Sequence, residues 1–147
     1  EGPLWDAEKK DVEKVDGKEA ARILEFDVAA GKFTGRFWHY VFEQNGNAIG
    51  DFNMIDAANG LIIERDNGEG TADKACPQGQ RGENCFPDLA KFKRVYKIEL
   101  SDANVGKPVR KVRLELREGQ FAIVLDRAER KARVAAGQDL PDVGAQR

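Results

Sequence analysis

The sequence has few of the residues from which common catalytic centres are built. Among its 147 residues it has one histidine, His39, and one serine, Ser101. Zinc sites usually take four ligands, and the chain offers only two cysteines beside the single histidine. It also has no G-x-S-x-G elbow and no P-loop, the motifs of α/β-hydrolases and of phosphate-cradling loops. These absences argue against a serine hydrolase of the α/β type and against a P-loop enzyme.

Long apolar runs and a strong net charge are also missing. No apolar run approaches the roughly 20 residues that a membrane helix needs, and the formal net charge is only −2. We therefore expect neither a membrane span nor a nucleic-acid surface built on bulk charge. A chain of this length can form one domain with its own core. Because its first residues, EGPLW, are typical of the middle of a longer sequence, we expect a fragment or a processed chain.

The clearest pattern in the sequence is a predicted β-hairpin within residues 47–70. Polar and apolar residues alternate over 51–54, with the period of two that is typical of a half-buried strand. The pair Asn59-Gly60 predicts a tight turn, because both residues tolerate positive φ. The β-branched segment 61–63 then resumes as a strand and leads into a dense charged loop. Rigid strands that hold a polar loop are a common way to build a site.

Other segments also have the alternation of short strands separated by turn residues. One of them, at residues 33–43, is rich in aromatic residues, which we interpret as core rather than as a ligand platform. His39 lies within that strand, where packing or exposure is favoured over catalysis. Residues 5–17 are charged and weakly patterned, and we expect a solvated insertion there. The remaining predicted strands are 22–28, 92–100, 112–116 and 121–125.

The two cysteines, Cys76 and Cys85, lie in one loop rich in glycine, proline and polar residues. Three interpretations are open: a disulfide, a metal-binding pair, or two reduced thiols. The disulfide is favoured, because the sequence has no second cysteine pair to complete a metal site. A disulfide implies an oxidising compartment, so we expect a periplasmic or secreted protein.

Five stretches of the chain carry a resemblance to a known family. They are EGPLWD, RILEFDVAAGKFTGRFWHYVFEQNGNAIGDFNMID, GLIIERDNGEG, the CPQG…NCF loop and FKRVYKIELSDA. The most specific part is the hairpin that ends in ERD at 64–66, followed by the strand with RVY at 94–96. Together they resemble the "esterase-like activity of phytase" family, also called phytase-like domain proteins, over residues 1–111.

The resemblance implies an exported β-propeller protein that hydrolyses phosphate or carboxylic esters of small molecules, assisted by a divalent metal such as Ca²⁺. A blade takes about 40–50 residues, so the chain covers roughly three blades. The predicted fold class is therefore all-β, with the antiparallel sheets of a partial β-propeller. We expect residues 1–111 to form the propeller segment. Residues 112–147 would form a divergent segment with a hairpin, a short helix at 127–136 and a frayed end.

The predicted site lies in the acidic loop that follows the predicted strand at 61–63. Glu64 and Asp66, which share one face of the strand, are the predicted catalytic residues. Arg65 and Arg94 are the predicted substrate-binding residues, because a guanidinium can bind a phosphate in bidentate geometry. A bound cation would polarise the phosphoryl oxygen and activate water, without a protein nucleophile.

Carboxylates of this loop and its neighbours are the predicted calcium ligands, since hard cations prefer several oxygen ligands. Glu1 is included because EGPLWD is also similar to the E-G-P-x-W stretch of gluconolactonase-type propellers, where the glutamate binds a metal. The predicted metal set is Glu1, Asp51, Asp66 and Glu69.

Two alternatives to an enzyme remain open at this stage. The aromatic strand and the cysteine loop also fit a non-catalytic propeller segment that binds a ligand or partner. Unpaired sheet edges favour, as a third interpretation, self-association of the isolated chain.

Overall fold

The computed structural model describes residues 1–78, 80–117 and 120–123, and these residues form β-strands and two short 3-10 helices. The predicted all-β, antiparallel class is confirmed and is consistent with a partial propeller-like fold. The predicted helix at 127–136 and the frayed end lie outside the described residues. The strands are β1 Trp5–Asp6, β2 Asp11–Val12, β3 Lys14–Val15, β4 Lys18–Asp27, β5 Lys32–Val41, β6 Ala48–Met54, β7 Asn59–Arg65, β8 Lys93–Glu99, β9 Arg110–Arg117 and β10 Gln120–Ile123, and the 3-10 helices are Ala72–Lys74 and Asp102–Asn104.

Two sheets carry most of the structure. The larger has five strands in the order β10-β9-β8-β7-β6, so each strand pairs antiparallel with its neighbour in sequence. The smaller has the order β3-β4-β5, and β1 pairs with β2 separately. The predicted C-terminal hairpin is confirmed by the pairing of β9 with β10. Residues 5–17 were expected to form a solvated insertion but contain the short strands β1, β2 and β3.

The turn between β6 and β7 differs from the prediction. It comprises residues 55–58, and the predicted turn pair Asn59-Gly60 forms the start of β7. The Asp56 carboxylate stabilises this turn by accepting hydrogen bonds from the backbone N–H groups of Ala58 and Asn59, both at 2.8 Å. Gly60 is required for another reason: a Cβ there would lie 2.4 Å from the Phe52 ring. The prediction of a turn at Asn59-Gly60 is therefore wrong, because the Asp56 side chain stabilises a turn in the residues directly before this pair.

The core lies between the β4-β5 hairpin and the five-stranded sheet. Trp38, Tyr40 and Phe42 alternate along one face of the hairpin and are buried. Ile62 on β7 and the buried residues of β8 pack against them. The aromatic strand is therefore core, as predicted. Two aromatic residues are exceptions. Phe33 is exposed near the hairpin tip and contacts Phe26 edge-to-face, and Phe37 is half-buried outside the core cluster and contacts His39 edge-to-face.

A short segment before β9 joins the two sheets through the backbone. The Gly106 N–H donates to the Phe37 carbonyl at 2.7 Å, and the His39 N–H donates to the Lys107 carbonyl at 3.0 Å. The Val109 N–H then donates to the His39 carbonyl at 2.9 Å. Gly106 has φ +73°, a conformation that favours glycine. These hydrogen bonds hold the β4-β5 hairpin against the five-stranded sheet.

The cysteine loop contains the predicted disulfide. Cys76 and Cys85 are bonded, with their Cα atoms 4.8 Å apart. The backbone of the loop also pairs on either side, since the Cys76 N–H donates to the Phe86 carbonyl at 3.0 Å and the Phe86 N–H to the Lys74 carbonyl at 2.9 Å. Of the three interpretations, the structure therefore supports the disulfide.

Candidate functional site

Glu64, a predicted catalytic residue, is completely buried where the β4-β5 hairpin packs against the five-stranded sheet. One carboxylate oxygen accepts hydrogen bonds from the Tyr40 hydroxyl at 2.7 Å and from Lys111 Nζ at 3.2 Å. The other accepts from Asn47 Nδ2 at 2.7 Å and from the Glu43 N–H at 2.8 Å. Four donors surround a group that only accepts when ionised, so this environment fits a carboxylate.

A second carboxylate, that of Glu43, extends the network towards solvent. It accepts hydrogen bonds from Arg94 and from the Tyr96 hydroxyl. The Lys111 ammonium lies 4.6 Å and 4.5 Å from the ring centres of Tyr40 and Tyr96 and also donates to the Val41 carbonyl at 2.7 Å. We call this set the joint cluster; its members are Tyr40, Glu43, Asn47, Glu64, Arg94, Tyr96 and Lys111.

The strand register explains how Glu64 enters the cluster. Alternate residues of β7, Gly60, Ile62 and Glu64, are the buried ones. Glu64 pairs with Arg94 on β8, whose side chain is 29% exposed. The sequence placed Glu64 at the start of an exposed loop, but the period of two carries the buried face of the strand as far as this residue. Glu64 and Arg94, predicted separately, are thus brought into one network.

Burial shifts the pKa values of three members of the cluster. Burial raises the pKa of the Tyr40 hydroxyl well above its usual range, and the negative charge of Glu64 adds to this. Burial likewise raises the pKa of Tyr96, with Glu64 as the next cause. For Lys111, burial lowers the pKa below its usual value, although Glu64 opposes the shift. Both tyrosines therefore stay protonated hydrogen-bond donors through the neutral range.

Asp66 is used at the base of the long loop. Its carboxylate accepts hydrogen bonds from the backbone N–H groups of Lys91 at 2.8 Å, Phe92 at 2.9 Å and Gly68 at 3.3 Å. The hydrogen bond from the Lys91 N–H is the main cause that lowers the pKa of Asp66. Asp66 thus ties the beginning of the loop to its end. Its predicted catalytic role stays a prediction.

Arg65 points away from the joint cluster, as expected for a neighbour of Glu64 on a strand. Its guanidinium donates to the Asp66 carbonyl at 2.8 Å and to Asn67 Oδ1 at 2.9 Å. Its aliphatic part lies 3.4 Å from the position that a Cβ on Gly50 would occupy. The contacts of Arg65 are therefore local to this loop, and its predicted role in substrate binding stays a prediction.

The structure does not gather the predicted calcium ligands. Asp51 accepts hydrogen bonds from the Phe52 N–H and from Asn53 Nδ2, both at 2.8 Å. Glu1 pairs through its backbone with Ile49, and the Glu69 N–H donates to the Asp88 carbonyl at 2.8 Å. In the described part of the chain, no three His, Cys, Asp or Glu residues are grouped to hold a metal ion. Calcium binding by this set stays a prediction.

An open groove at the opposite end of the packed sheets was not predicted. It has a volume of about 540 Å³ and lies between the β4-β5 hairpin and the turn after β6. Its polar lining is Glu25, Arg36, Ser101 and Asp102, and its apolar lining is Ile23, Leu24, Trp38, Phe52, Met54, Ala57, Ala58 and Leu100. Apolar cavities of this size with a few polar groups are typical of small-molecule sites.

The lone histidine and the lone serine occupy structural positions. His39 Nε2 lies 3.0 Å from Glu13, which also binds Arg22 at 2.8 Å. The Ser101 hydroxyl donates to Asn104 at 3.2 Å, within the capping box of the second 3-10 helix. These contacts agree with the interpretation of His39 as a packing residue.

Comparison with known proteins gives one match. The family model described as phytase-like, esterase-like activity of phytase, matches residues 1–139. This match extends past residue 111, where the resemblance drawn from the sequence stopped. No curated protein and no solved structure matches the chain. Among the residues that the structure describes, no helix is long and apolar enough to cross a membrane.

Proposed function

Because the chain belongs to the phytase-like family, we propose that it is an exported hydrolase of phosphate or carboxylic esters of small molecules. The observation that carries the proposal is the match of the family model over residues 1–139. Export is supported by the Cys76–Cys85 disulfide, since disulfides persist mainly in the periplasm and outside the cell. The fold that goes with this function is a propeller, of which the two sheets would be a part.

The reaction is assigned to the solvent side of the joint cluster. Arg94 and Lys111 are partly exposed, at 29% and 23% of their side chains. A phosphoryl or carbonyl oxygen placed there would receive charge-assisted hydrogen bonds. Glu64 is fully buried, so it acts as a positioning residue for Lys111 rather than by touching substrate.

Glu43 is the candidate general base, because its carboxylate is 35% exposed and lies against Arg94. When substrate takes its place at Arg94, this carboxylate becomes free to accept a proton from an attacking water. The water oxygen forms the new bond to phosphorus or to the carbonyl carbon while Glu43 takes a proton from the water. The ester bond then breaks, and the alcohol leaves with the proton that Glu43 returns. Calcium assistance belongs to the proposal through the family resemblance, and no step is derived through the metal.

Hydrolysis of para-nitrophenyl phosphate and para-nitrophenyl acetate tests the proposal, each with added Ca²⁺ and with a chelator. The matched pair of variants is Arg94→Gln and Arg65→Gln, because only Arg94 belongs to the joint cluster. We expect Arg94→Gln to lower kcat/KM about tenfold or more and Arg65→Gln to leave it within about twofold. Absence of turnover above the blank with either substrate, with and without metal, would remove the enzyme assignment.

A second candidate function is non-catalytic ligand binding by a propeller segment. The observation that favours it is the completeness of the contacts around Glu64, whose two oxygens already accept four hydrogen bonds. Calorimetry that finds no Ca²⁺ binding, together with an Asp66→Ala variant of unchanged activity, would favour this function over metal-assisted hydrolysis.

A further inference from the structure

The groove has a rigid apolar floor. Trp38 is 4% exposed, and its indole Nε1 donates to the Ser101 carbonyl at 3.0 Å. The ring is therefore fixed, with its only polar atom already bonded within the protein. Phe52 lies beside it against Gly60. A ligand therefore binds without the entropy cost of ordering these aromatic side chains.

The mouth of the groove is also apolar and open to solvent. Leu24 and Met54 line it and are 52% and 48% exposed. Apolar surface of this kind gains free energy when a ligand removes it from water. The volume of about 540 Å³ is within the range of sites for small molecules rather than for a protein segment.

The charges of the groove disfavour an anionic ligand. Arg36 is the only cation among the lining residues. Its guanidinium is paired with Asp102 and lies 3.6 Å from Glu25, and it also stacks 5.3 Å above the Trp38 ring. The lining therefore has one positive side chain against two negative ones. A phosphate ester would meet a negative rim here, in contrast to the cationic side of the joint cluster.

We propose that this groove binds the apolar part of an uncharged small molecule. Because the groove and the joint cluster lie at opposite ends of the packed sheets, the groove is a binding site separate from the proposed site of hydrolysis. Its apolar lining and its excess of negative side chains favour an uncharged ligand with an alkyl or aryl group over a polyphosphorylated one.

Fluorescence of Trp38 reports binding directly. The chain has two tryptophans, so a Trp5→Phe variant leaves Trp38 as the only one. The probe is the ketone analogue of ethyl hexanoate, in which methylene replaces the ester oxygen, because it is uncharged and cannot be hydrolysed. We expect a saturable change in emission with this probe and none with inositol hexakisphosphate. Absence of a saturable change with the ketone, or an equal response to the polyphosphate, would overturn the proposal.

Met54→Glu and Ile55→Glu are matched variants, made in the Trp5→Phe background. The two residues are adjacent and similarly exposed, at 48% and 55%, but only Met54 lines the groove. We expect Met54→Glu to weaken probe binding about tenfold or more, because a carboxylate would be desolvated by the probe. Ile55→Glu should leave the dissociation constant within about twofold. Equal effects of the two variants would contradict the proposal.

The assays separate this inference from the proposed function. A Trp38 response to the ketone without ester hydrolysis would support the groove as a binding site and contradict the proposed hydrolase activity. Hydrolysis without a Trp38 response would remove only the groove. Sedimentation velocity adds a check on another occupant: a dimer that Met54→Glu dissociates, combined with no probe response, would assign the groove to a second copy of the chain and overturn the proposal.

Discussion

The two ends of the packed sheets, the joint cluster and the groove, differ in their polarity. Tyr40 and Trp38 are two residues apart on the same face of β5, yet Tyr40 faces a closed polar network and Trp38 an open apolar groove. The difference comes from what the larger sheet places opposite them. Glu64 fills the space beside Tyr40, whereas small residues, Ala57 and Ala58, leave room beside Trp38. One strand thus contributes to a polar network at one end and to an apolar groove at the other.

The largest effect should follow from removing the buried charge. Glu64→Gln replaces an acceptor of four hydrogen bonds with an amide and leaves Lys111 without its anion. We expect the free energy of unfolding to fall by about 3–5 kcal/mol, since breaking a buried ion pair strands its partner. Urea denaturation measures this loss.

Glu25→Gln is the matched change at the groove end, where the ion pair with Arg36 is partly exposed. It should cost about 1 kcal/mol or less. Equal losses in the two variants would break the contrast between the closed end and the open end.

The next effect concerns the floor of the groove. Gly60→Ala would place a Cβ 2.4 Å from the Phe52 ring, so the ring must move. Overpacking of this kind costs about 1–3 kcal/mol, and the displaced ring should also weaken the Trp38 response to the ketone probe. Gly50→Ala is the control, because its Cβ would lie 3.4 Å from the flexible Arg65 side chain. A Gly60→Ala protein of wild-type stability and binding would show that Phe52 does not rest on this glycine.

The smallest effect is the alkaline dependence of stability. The pKa of Tyr40 is raised above its ordinary value of 10.0 by burial, then by Glu64. Above that pH the unfolded chain releases the tyrosine proton while the folded protein keeps it. The contribution of Tyr40 is therefore complete below pH 10 and is lost as pH rises further, by about 1.4 kcal/mol per pH unit.

Tyr40→Phe should accordingly flatten the fall in stability above pH 10, as measured by urea denaturation at several pH values. Tyr96 acts in the same direction. Lys111, whose pKa is lowered by burial from its ordinary value of 10.5, has the opposite effect, but only at pH values below about 10.5. Comparison of the variant with the wild type isolates the share of Tyr40. Identical slopes for the two proteins would contradict the assignment of Tyr40 as a buried donor to Glu64.

Local patterns predicted the strands and the disulfide well. Period-two alternation located β6, β7 and β8 to within a few residues, and the isolated cysteine pair indicated its own bond. Asn59-Gly60 misled because turn propensity is weak evidence when an Asp two or three residues earlier can accept the turn's N–H groups, as Asp56 does.

Tertiary placement decided what local patterns could not. Glu64 followed a β-branched run and preceded a charged loop, so it resembled the first residue of an exposed rim. Only the packing of the β4-β5 hairpin against β7 shows that the face of β7 with Glu64 is buried. The groove was missed because Leu24, Met54 and Leu100 are distant in sequence, and Trp38 alone reads as a core residue. Alternation with a period of two assigns residues to one face of a strand or the other, but it does not show where a groove remains open between two packed sheets.

We propose that the groove and the joint cluster bind ligands of different chemistry, and amide chemical-shift mapping by NMR tests this most directly. Two probes are titrated separately into the wild-type protein: the uncharged ketone and inorganic phosphate. We expect the ketone to shift the amide signals of Trp38 and Met54, and phosphate to shift those of Arg94 and Lys111. Shifts of Arg94 and Lys111 by the ketone, or of the groove by phosphate, would contradict it.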